Sequence, residues 1–248
     1  VALGFTFTFN GANYTNVTIT DNGYVTFGGT PPAADEYLPI SSVTAGYAGA
    51  ISGFGASLRS ASTNANYVTP PTSTVRYETI GTSPNSIFVV QYENVVRTSV
   101  AGAQRNGLLN FQIRLYEGTN IIETFYNTFN PLVPLTAGNQ AGQVGLRGAT
   151  NGDFNNRLFG SGPGWVGTIA GIVSSTLALS STVFNADVTR FRWTPSNCLD
   201  PTAISAVLLG DNSTANFSWT APIIPPAGGY DWEVRTAGNP GTGGAFAS

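Results

Sequence analysis

Apolar and polar residues alternate with a period of two along much of this chain, most clearly across residues 106–127, NGLLNFQIRLYEGTNIIETFYN. Leu109, Phe111, Ile113 and Leu115 alternate with Asn110, Gln112, Arg114 and Tyr116. In a strand this sends apolar side chains to one face and polar ones to the other. Glu117-Gly118-Thr119-Asn120 accepts turn geometry, and 121–126 resumes with β-branched and aromatic residues, so the pattern predicts a long β-hairpin. Such a hairpin is marginal in water and needs further strands or a second sheet on its apolar face.

The rest of the chain supplies them. Phe5, Phe7 and Phe9 alternate with Thr6 and Thr8, Asn10-Gly11 turns the chain into 14–20, and Asp21-Asn22-Gly23 turns it again into 24–27, which predicts a three-strand meander. Residues 37–58, rich in Gly, Ala and Ser, carry no clear period and admit one short helix or strand. Further strands are predicted at 73–79, at 87–92 extending towards Val96, at 143–147 and at 183–193. Between them lie a turn at 82–85, a loop at 101–107, Pro131 and Pro134, and a polar Gly/Asn loop at 148–157. Short strands punctuated by Gly, Pro and Asn, with no amphipathic helical period, predict an all-β fold: an antiparallel β-sandwich or jelly roll over 1–195. A linker is expected at 196–201. Beyond it, strands at 203–209, 214–219 and 230–236 are separated by Gly210-Asp211-Asn212 and by a loop at 222–229. With Pro201, Trp219 and Tyr230-Asp231-Trp232-Glu233-Val234-Arg235, residues 202–248 resemble the N-terminal part of a fibronectin type III, immunoglobulin-like domain, cut short because such a domain needs about seven strands.

Charge narrows the setting. Only 9% of the residues are charged, all ten cations are arginine, and the net charge is -3. A surface built from hydroxyl and amide groups is expected of extracellular β proteins, with a viral or filament subunit as the alternative. Dispersed arginines provide no phosphate-neutralising cluster, so no nucleic-acid partner is expected. No apolar run approaches the roughly 18 residues of a membrane helix, and no membrane span is expected. The sequence has no methionine, so Val1 is expected to follow a removed segment and the protein to continue beyond Ser248. The single cysteine, Cys198, is either a small buried hydrophobe, an unpaired thiol, or the partner of a cysteine outside these residues.

The absence of histidine and the single cysteine exclude Ser-His-Asp and Cys-His chemistry and His-ligated zinc within these residues. Carboxylates remain. Asp35 with Glu36, or Glu78, Glu93 and Glu123 on neighbouring strands, are either a glycosidase-type pair across a cleft or strand-face residues paired with Arg76, Arg97 or Arg114. The loop with Asn151, Asp153, Asn155, Asn156 and Arg157 could place oxygen ligands around Ca2+, although one carboxylate is little for that ion, or amide and carboxylate groups against sugar hydroxyls. Alternatively they cap their own turn. Asp35, Glu36 and Tyr37 sit in a second Pro-containing loop that completes the candidate ligand-binding set. Trp165 and Trp193 are assigned to core or interdomain packing rather than to a carbohydrate platform.

Several segments carry a family resemblance: Gly4-Phe5-Thr6-Phe7, Tyr14-Thr15-Asn16-Val17, Asn22-Gly23-Tyr24-Val25-Thr26-Phe27, the strand 111–117, Val144-Gly145-Leu146-Arg147-Gly148-Ala149, Asp153-Phe154-Asn155-Asn156-Arg157 and Phe191-Arg192-Trp193-Thr194-Pro195. In this order they resemble secreted, multidomain Bacteroidota proteins exported by the type IX secretion system. The resemblance implies an N-terminal β-sandwich, fibronectin type III repeats beyond it, the type IX machinery as a partner and a place at the cell surface. It carries no catalytic or binding residues. The expected function is therefore a non-enzymatic, secreted adhesion or structural module with a glycan or surface-protein ligand. The alternatives are a self-assembling subunit of an extracellular fibre and a carbohydrate-binding accessory domain of a secreted enzyme.

Overall fold

A computed structural model describes residues 1–63, 69, 71–97, 108–127, 140–159, 168–174, 177–179, 189–195, 202–208, 210, 215–221, 232–234 and 245–247. The expectations for the 101–107 loop, Pro131, Pro134, Trp165, residues 183–188, the 196–201 linker with Cys198 and the 222–229 loop lie outside these residues. In chain order the strands are β1 (Ala2–Phe9), β2 (Ala12–Asn16), β3 (Thr18–Ile19), β4 (Tyr24–Phe27), β5 (Gly49–Gly55), β6 (Leu58–Ser60), β7 (Thr74–Ile80), β8 (Ile87–Arg97), β9 (Leu109–Tyr116), β10 (Ile122–Tyr126), β11 (Gln140–Arg147), β12 (Phe154–Phe159), β13 (Thr168–Ala170), β14 (Leu177–Leu179), β15 (Thr189–Trp193), β16 (Thr202–Leu208), β17 (Ala215–Thr220), β18 (Trp232–Val234) and β19 (Ala245–Ala247). One 3-10 turn, Ala61–Thr63, is the only helical element among the described residues. Contacts divide the chain into two compact units, Val1–Thr194 and Pro195–Ser248.

The first unit is an antiparallel sandwich. Its six-stranded sheet runs β15-β10-β9-β8, and β8 is long enough to pair β7 along 87–93 and β6 along 95–97 on the same side. Between those stretches Asn94 adopts φ 54° and its N–H donates to Asn110 Oδ1, an irregularity that splits one edge between two short strands. The seven-stranded sheet runs β13-β12-β11-β5-β4-β3, with β14 also on β11. The hairpin expected from the alternation is present as β9 and β10, in register from Ile122 against Leu115 to Tyr126 against Phe111. Gly118 at φ 71° and Asn120 at φ 51° supply the left-handed residues its turn demands.

The apolar face of that hairpin meets the other sheet in one cluster that includes Phe88, Val90, Tyr92, Phe111, Ile113, Leu115, Val25, Phe27, Ile51 and Val144. Tyr92 and Phe111 stack with centroids 4.6 Å apart. The strand β5, from the stretch without a legible period, lies in the middle of the seven-stranded sheet and is buried throughout. Its inner face is hollow. A Cβ on Gly53 would stand 2.7 Å from a Phe111 ring carbon, and one on Gly49 would stand closer still to the Phe9 ring, so these glycines are the sockets into which rings pack. Two consecutive N–H groups, of Gly53 and Phe54, both reach the Gly23 carbonyl at 3.1 Å, a bulge that turns Phe54 to the core and Gly55 to the outer face.

Two expectations change. The predicted meander is split: β1 and β2 form their own two-stranded sheet while β3 and β4 join the seven-stranded one. The break falls at Val17, whose side chain is buried and whose N–H donates to Val1 O at 2.9 Å. The polar 148–157 segment is a loop only to Asp153, because Phe154–Phe159 is a strand whose first half pairs β11 and whose second half pairs β13, and the pairing with β11 overrides the turn preference of two asparagines. In the second unit β16 pairs β17 and β18 pairs β19, both antiparallel.

Candidate functional site

The polar half of the central alternation lies on the outer face of the six-stranded sheet, where strand register sets it out in rows. One row reads Arg76, Gln91, Gln112, Phe125, Arg190; the next reads Glu78, Val89, Arg114, Glu123, Arg192. Opposed residues in antiparallel strands are close enough to interact, and here they do. Gln112 Nε2 donates to Gln91 Oε1 at 3.1 Å, Arg114 Nε donates to Gln112 Oε1 at 2.8 Å, and the Arg114 guanidinium lies 4.7 Å from the Phe125 ring centre. These bonds hold long, flexible side chains in one geometry.

Glu123 anchors the far side of this array. Its carboxylate is buried, accepts the Tyr116 hydroxyl at 2.6 Å, and lies 3.4 Å from Arg190 and 3.3 Å from Arg192. Burial raises the Tyr116 pKa, and the hydrogen bond and charge of Glu123 raise it further against the opposing pull of Arg114. Tyr116 is therefore held as a donor. The ion-pair partners of Glu123 are Arg190 and Arg192, with its cross-strand neighbour Arg114 committed to Gln112.

On the other side of Arg114 the same face opens into a groove of about 510 Å3, lined by Arg76, Glu78, Ile80, Ile87, Val89, Gln91, Gln112 and Arg114. It offers amide and guanidinium groups along one flank and aliphatic side chains along the other. That combination suits a ligand with hydroxyls on its rim and C–H on its faces.

The loop residues singled out from the sequence are placed differently. Asn151 Nδ2 lies 3.5 Å from Ser41 O, Asp153 Oδ2 accepts from Asn10 at 3.1 Å, and Asn155 Oδ1 accepts the Trp193 indole at 3.2 Å. Asn156 is buried and donates to Val173 O at 3.0 Å, while Arg157 stacks 5.1 Å from the Phe191 ring centre, where burial lowers its pKa. The five therefore contact four separate segments, with Asn155 and Arg157 both on β15. Glu36 Oε2 accepts from Ser42 Oγ at 2.6 Å, and Asp35 and Tyr37 are exposed. The two candidate loops approach each other at Ser41, whose carbonyl faces Asn151 and whose neighbour Ser42 donates to Glu36. A smaller cavity of about 300 Å3 lies between Thr20-Asp21-Asn22 and Pro31-Pro32-Ala33-Ala34, without Asp35, Glu36 or Tyr37 in its wall. No group of three or more His, Cys, Asp or Glu side chains comes together among the described residues.

What residues 28–48 do is cover the outer face of the seven-stranded sheet. Arg147, on β11 and buried, donates through Nη1 to Pro39 O at 2.9 Å and to the Tyr47 hydroxyl at 3.2 Å, and lies 5.0 Å from the Tyr47 ring centre. Gln143 Oε1 accepts the Ile40 N–H at 2.6 Å, and Tyr24 donates to Glu36 O at 2.7 Å. Burial pushes the Tyr47 hydroxyl up to about 12 against the lowering effect of Arg147. Gln143 and Arg147, four residues apart on β11, thus both bond the same covering loop, at Ile40 and Pro39. No helix among the described residues is long and apolar enough to cross a membrane.

No curated protein and no solved structure matches the chain. Residues 1–195 match the family model described as NIDO related, whose domains are typically extracellular and of adhesion type, and the chain belongs to that NIDO-related family.

Proposed function

We propose that this chain is a non-enzymatic adhesion module of a larger secreted bacterial surface protein, and that it takes its ligand in the groove on the outer face of the six-stranded sheet. One observation carries the choice of face: Gln91, Gln112 and Arg114 are fixed by their mutual hydrogen bonds beside an open groove of about 510 Å3. Prepositioned amides and a guanidinium hydrogen-bond a hydroxyl-rich ligand with little further ordering. A glycan is the chemistry this groove fits best. Glu123, which sequence alone left open as a catalytic carboxylate, is buried beneath three donors and serves to hold the array. The resemblance of the chain to type IX cargo supports the bacterial surface setting and the fibronectin type III reading of residues 202–248.

A glycan array probed with the chain, followed by calorimetry on the best hit, tests this. Gln112→Ala and Gln91→Ala each lose tenfold or more in affinity, and Asp153→Ala binds as the parent does. The reverse pattern, with the groove variants unaffected and Asp153→Ala inactive, moves the site to the 148–153 loop and overturns the reading.

A further inference from the structure

The free edge of the six-stranded sheet at β7 carries a second inference, independent of the ligand. β7 pairs β8 over all seven of its residues without a break in register, and no strand among the described residues pairs its other side. Residues 75–80 are exposed on both faces, Val75 to 40%, Tyr77 to 54% and Ile80 to 45%. Thr79 Oγ1 donates to Leu3 O at 2.7 Å, which ties the strand's inner side to β1 and keeps it extended. An edge strand presents a row of N–H and C=O groups to any other strand, and natural proteins blunt such edges with lysine, proline or a bulge. The sequence Thr-Val-Arg-Tyr-Glu-Thr-Ile has no lysine, proline or bulge, and its two charged residues, Arg76 and Glu78, are of opposite sign.

We propose that a second copy of this chain docks on this edge, the two β7 strands pairing antiparallel about a two-fold axis at Tyr77. Geometry leaves few registers. Opposed residues of an antiparallel pair point to the same face, so a two-fold axis normal to the sheet must place some residue opposite its own copy. An axis at Arg76 sets arginine against arginine, and an axis at Glu78 sets glutamate against glutamate. An axis at Tyr77 pairs all seven residues, sets Arg76 against Glu78 of the second copy twice over, and puts Val75 against Thr79 and Thr74 against Ile80. Moving the axis beyond Arg76 or Glu78 leaves three residues paired. The strand is thus charge-complementary to itself in the one register that uses its full length.

The contact is isologous, so it closes. Each copy uses its β7 edge once, which yields a dimer with one continuous sheet rather than a fibre. Arg76 and Glu78 also line the groove, so the dimer sets two ligand grooves on the same face, one on either side of the axis.

Sedimentation velocity over a concentration series, using the 248-residue chain, tests the register. The parent chain is expected to move from 25.8 kDa towards twice that mass as concentration rises. Arg76→Glu and Glu78→Arg each convert two attractive pairs into two repulsive ones and weaken the dimer tenfold or more, while circular dichroism confirms that both exposed-site variants fold. Mixing the two variants in equal amounts restores the dimer, because the glutamate introduced at 76 then meets the arginine introduced at 78 in one pair, and Glu78 of the first variant meets Arg76 of the second in the other. A parent chain that stays monomeric throughout, variants that dimerise like the parent, a mixture that stays monomeric, or open polymers in place of a dimer would each overturn the proposal.

Discussion

Gly53→Ala measures how closely the two sheets interlock. An alanine Cβ at this position would stand 2.7 and 2.8 Å from two ring carbons of Phe111 and 3.1 Å from Ile113 Cγ1, distances at which neighbours must move. Phe111 is itself held by Tyr92, 4.6 Å away, and by Tyr126, 6.1 Å away between ring centres. Tyr126 in turn donates to the Gly53 carbonyl, so the ring has little room to retreat. Overpacking of this kind costs about 1–3 kcal/mol. Against it stands the lower chain entropy of alanine in the unfolded state, which favours the variant by about 0.4–1 kcal/mol. The expected net loss is about 1–2 kcal/mol, read as a lower midpoint in urea with unchanged slope. Phe111→Leu by itself costs about 1–2 kcal/mol in lost ring area and stacking. In the double variant the shorter side chain leaves space for the alanine methyl, so the two losses sum to less than their separate values by about 1 kcal/mol. A Gly53→Ala protein as stable as the parent, or strictly additive losses, would refute the socket reading of β5.

Three further outcomes are expected. Glu123→Ala removes the acceptor of the Tyr116 hydroxyl and the counter-charge of two half-exposed arginines, and costs about 1–3 kcal/mol in chemical denaturation; Glu123→Gln, which keeps the shape, costs less. Asn120→Gly suits the left-handed turn but deletes the Oδ1 that accepts the Thr8 N–H at 2.8 Å, so it destabilises by about 1–2 kcal/mol where Asn120→Asp does not; equal losses from both would detach the turn from β1. Burial raises the hydroxyl pKa of Tyr24, Tyr47, Tyr92 and Tyr126 above the ordinary 10.0, Tyr47 to about 12. The folded state then retains protons that the unfolded chain releases, so stability is full below pH 10 and falls as pH rises from 10 through 12. A chain that stays folded while all ten of its tyrosines ionise together near pH 10 would contradict that burial.

The sequence made the six-stranded sheet easy to see and hid the middle of its partner, for a physical reason. β8 and β9 each bury one face and leave the other partly exposed, and a period of two is the signature of that environment. β5 buries both faces, one against Phe9 and Phe111 and the other under Pro39 and the rest of residues 28–48, so its side chains are chosen for size and not for polarity. Gly-Ala-Ile-Ser-Gly-Phe-Gly then shows no period and admits a short helix as readily as a strand. At 154–157 the cause is different: asparagines that ordinarily favour turns are held in β12 by pairing with β11.

The candidate site was obscured by the opposite circumstance. Polar residues in loops draw attention because loops carry function in many folds, whereas Gln91, Gln112 and Arg114 look like the ordinary wet half of an alternating strand. What separates the two sets is whether their hydrogen bonds leave something over. Asp153, Asn155 and Asn156 each bond a different neighbouring segment and fasten the loop and β12 to the body of the sandwich. The strand residues bond one another, Gln112 to Gln91 along one row and Arg114 to Gln112 from the next, and Arg76 and Glu78 line the same groove beside them. A polymer lying along that row meets aligned donors and acceptors, which one strand cannot provide and three adjacent strands can. Register is the property that builds the row, and register is a fact about pairs of strands, so it is carried by no segment of the sequence taken alone.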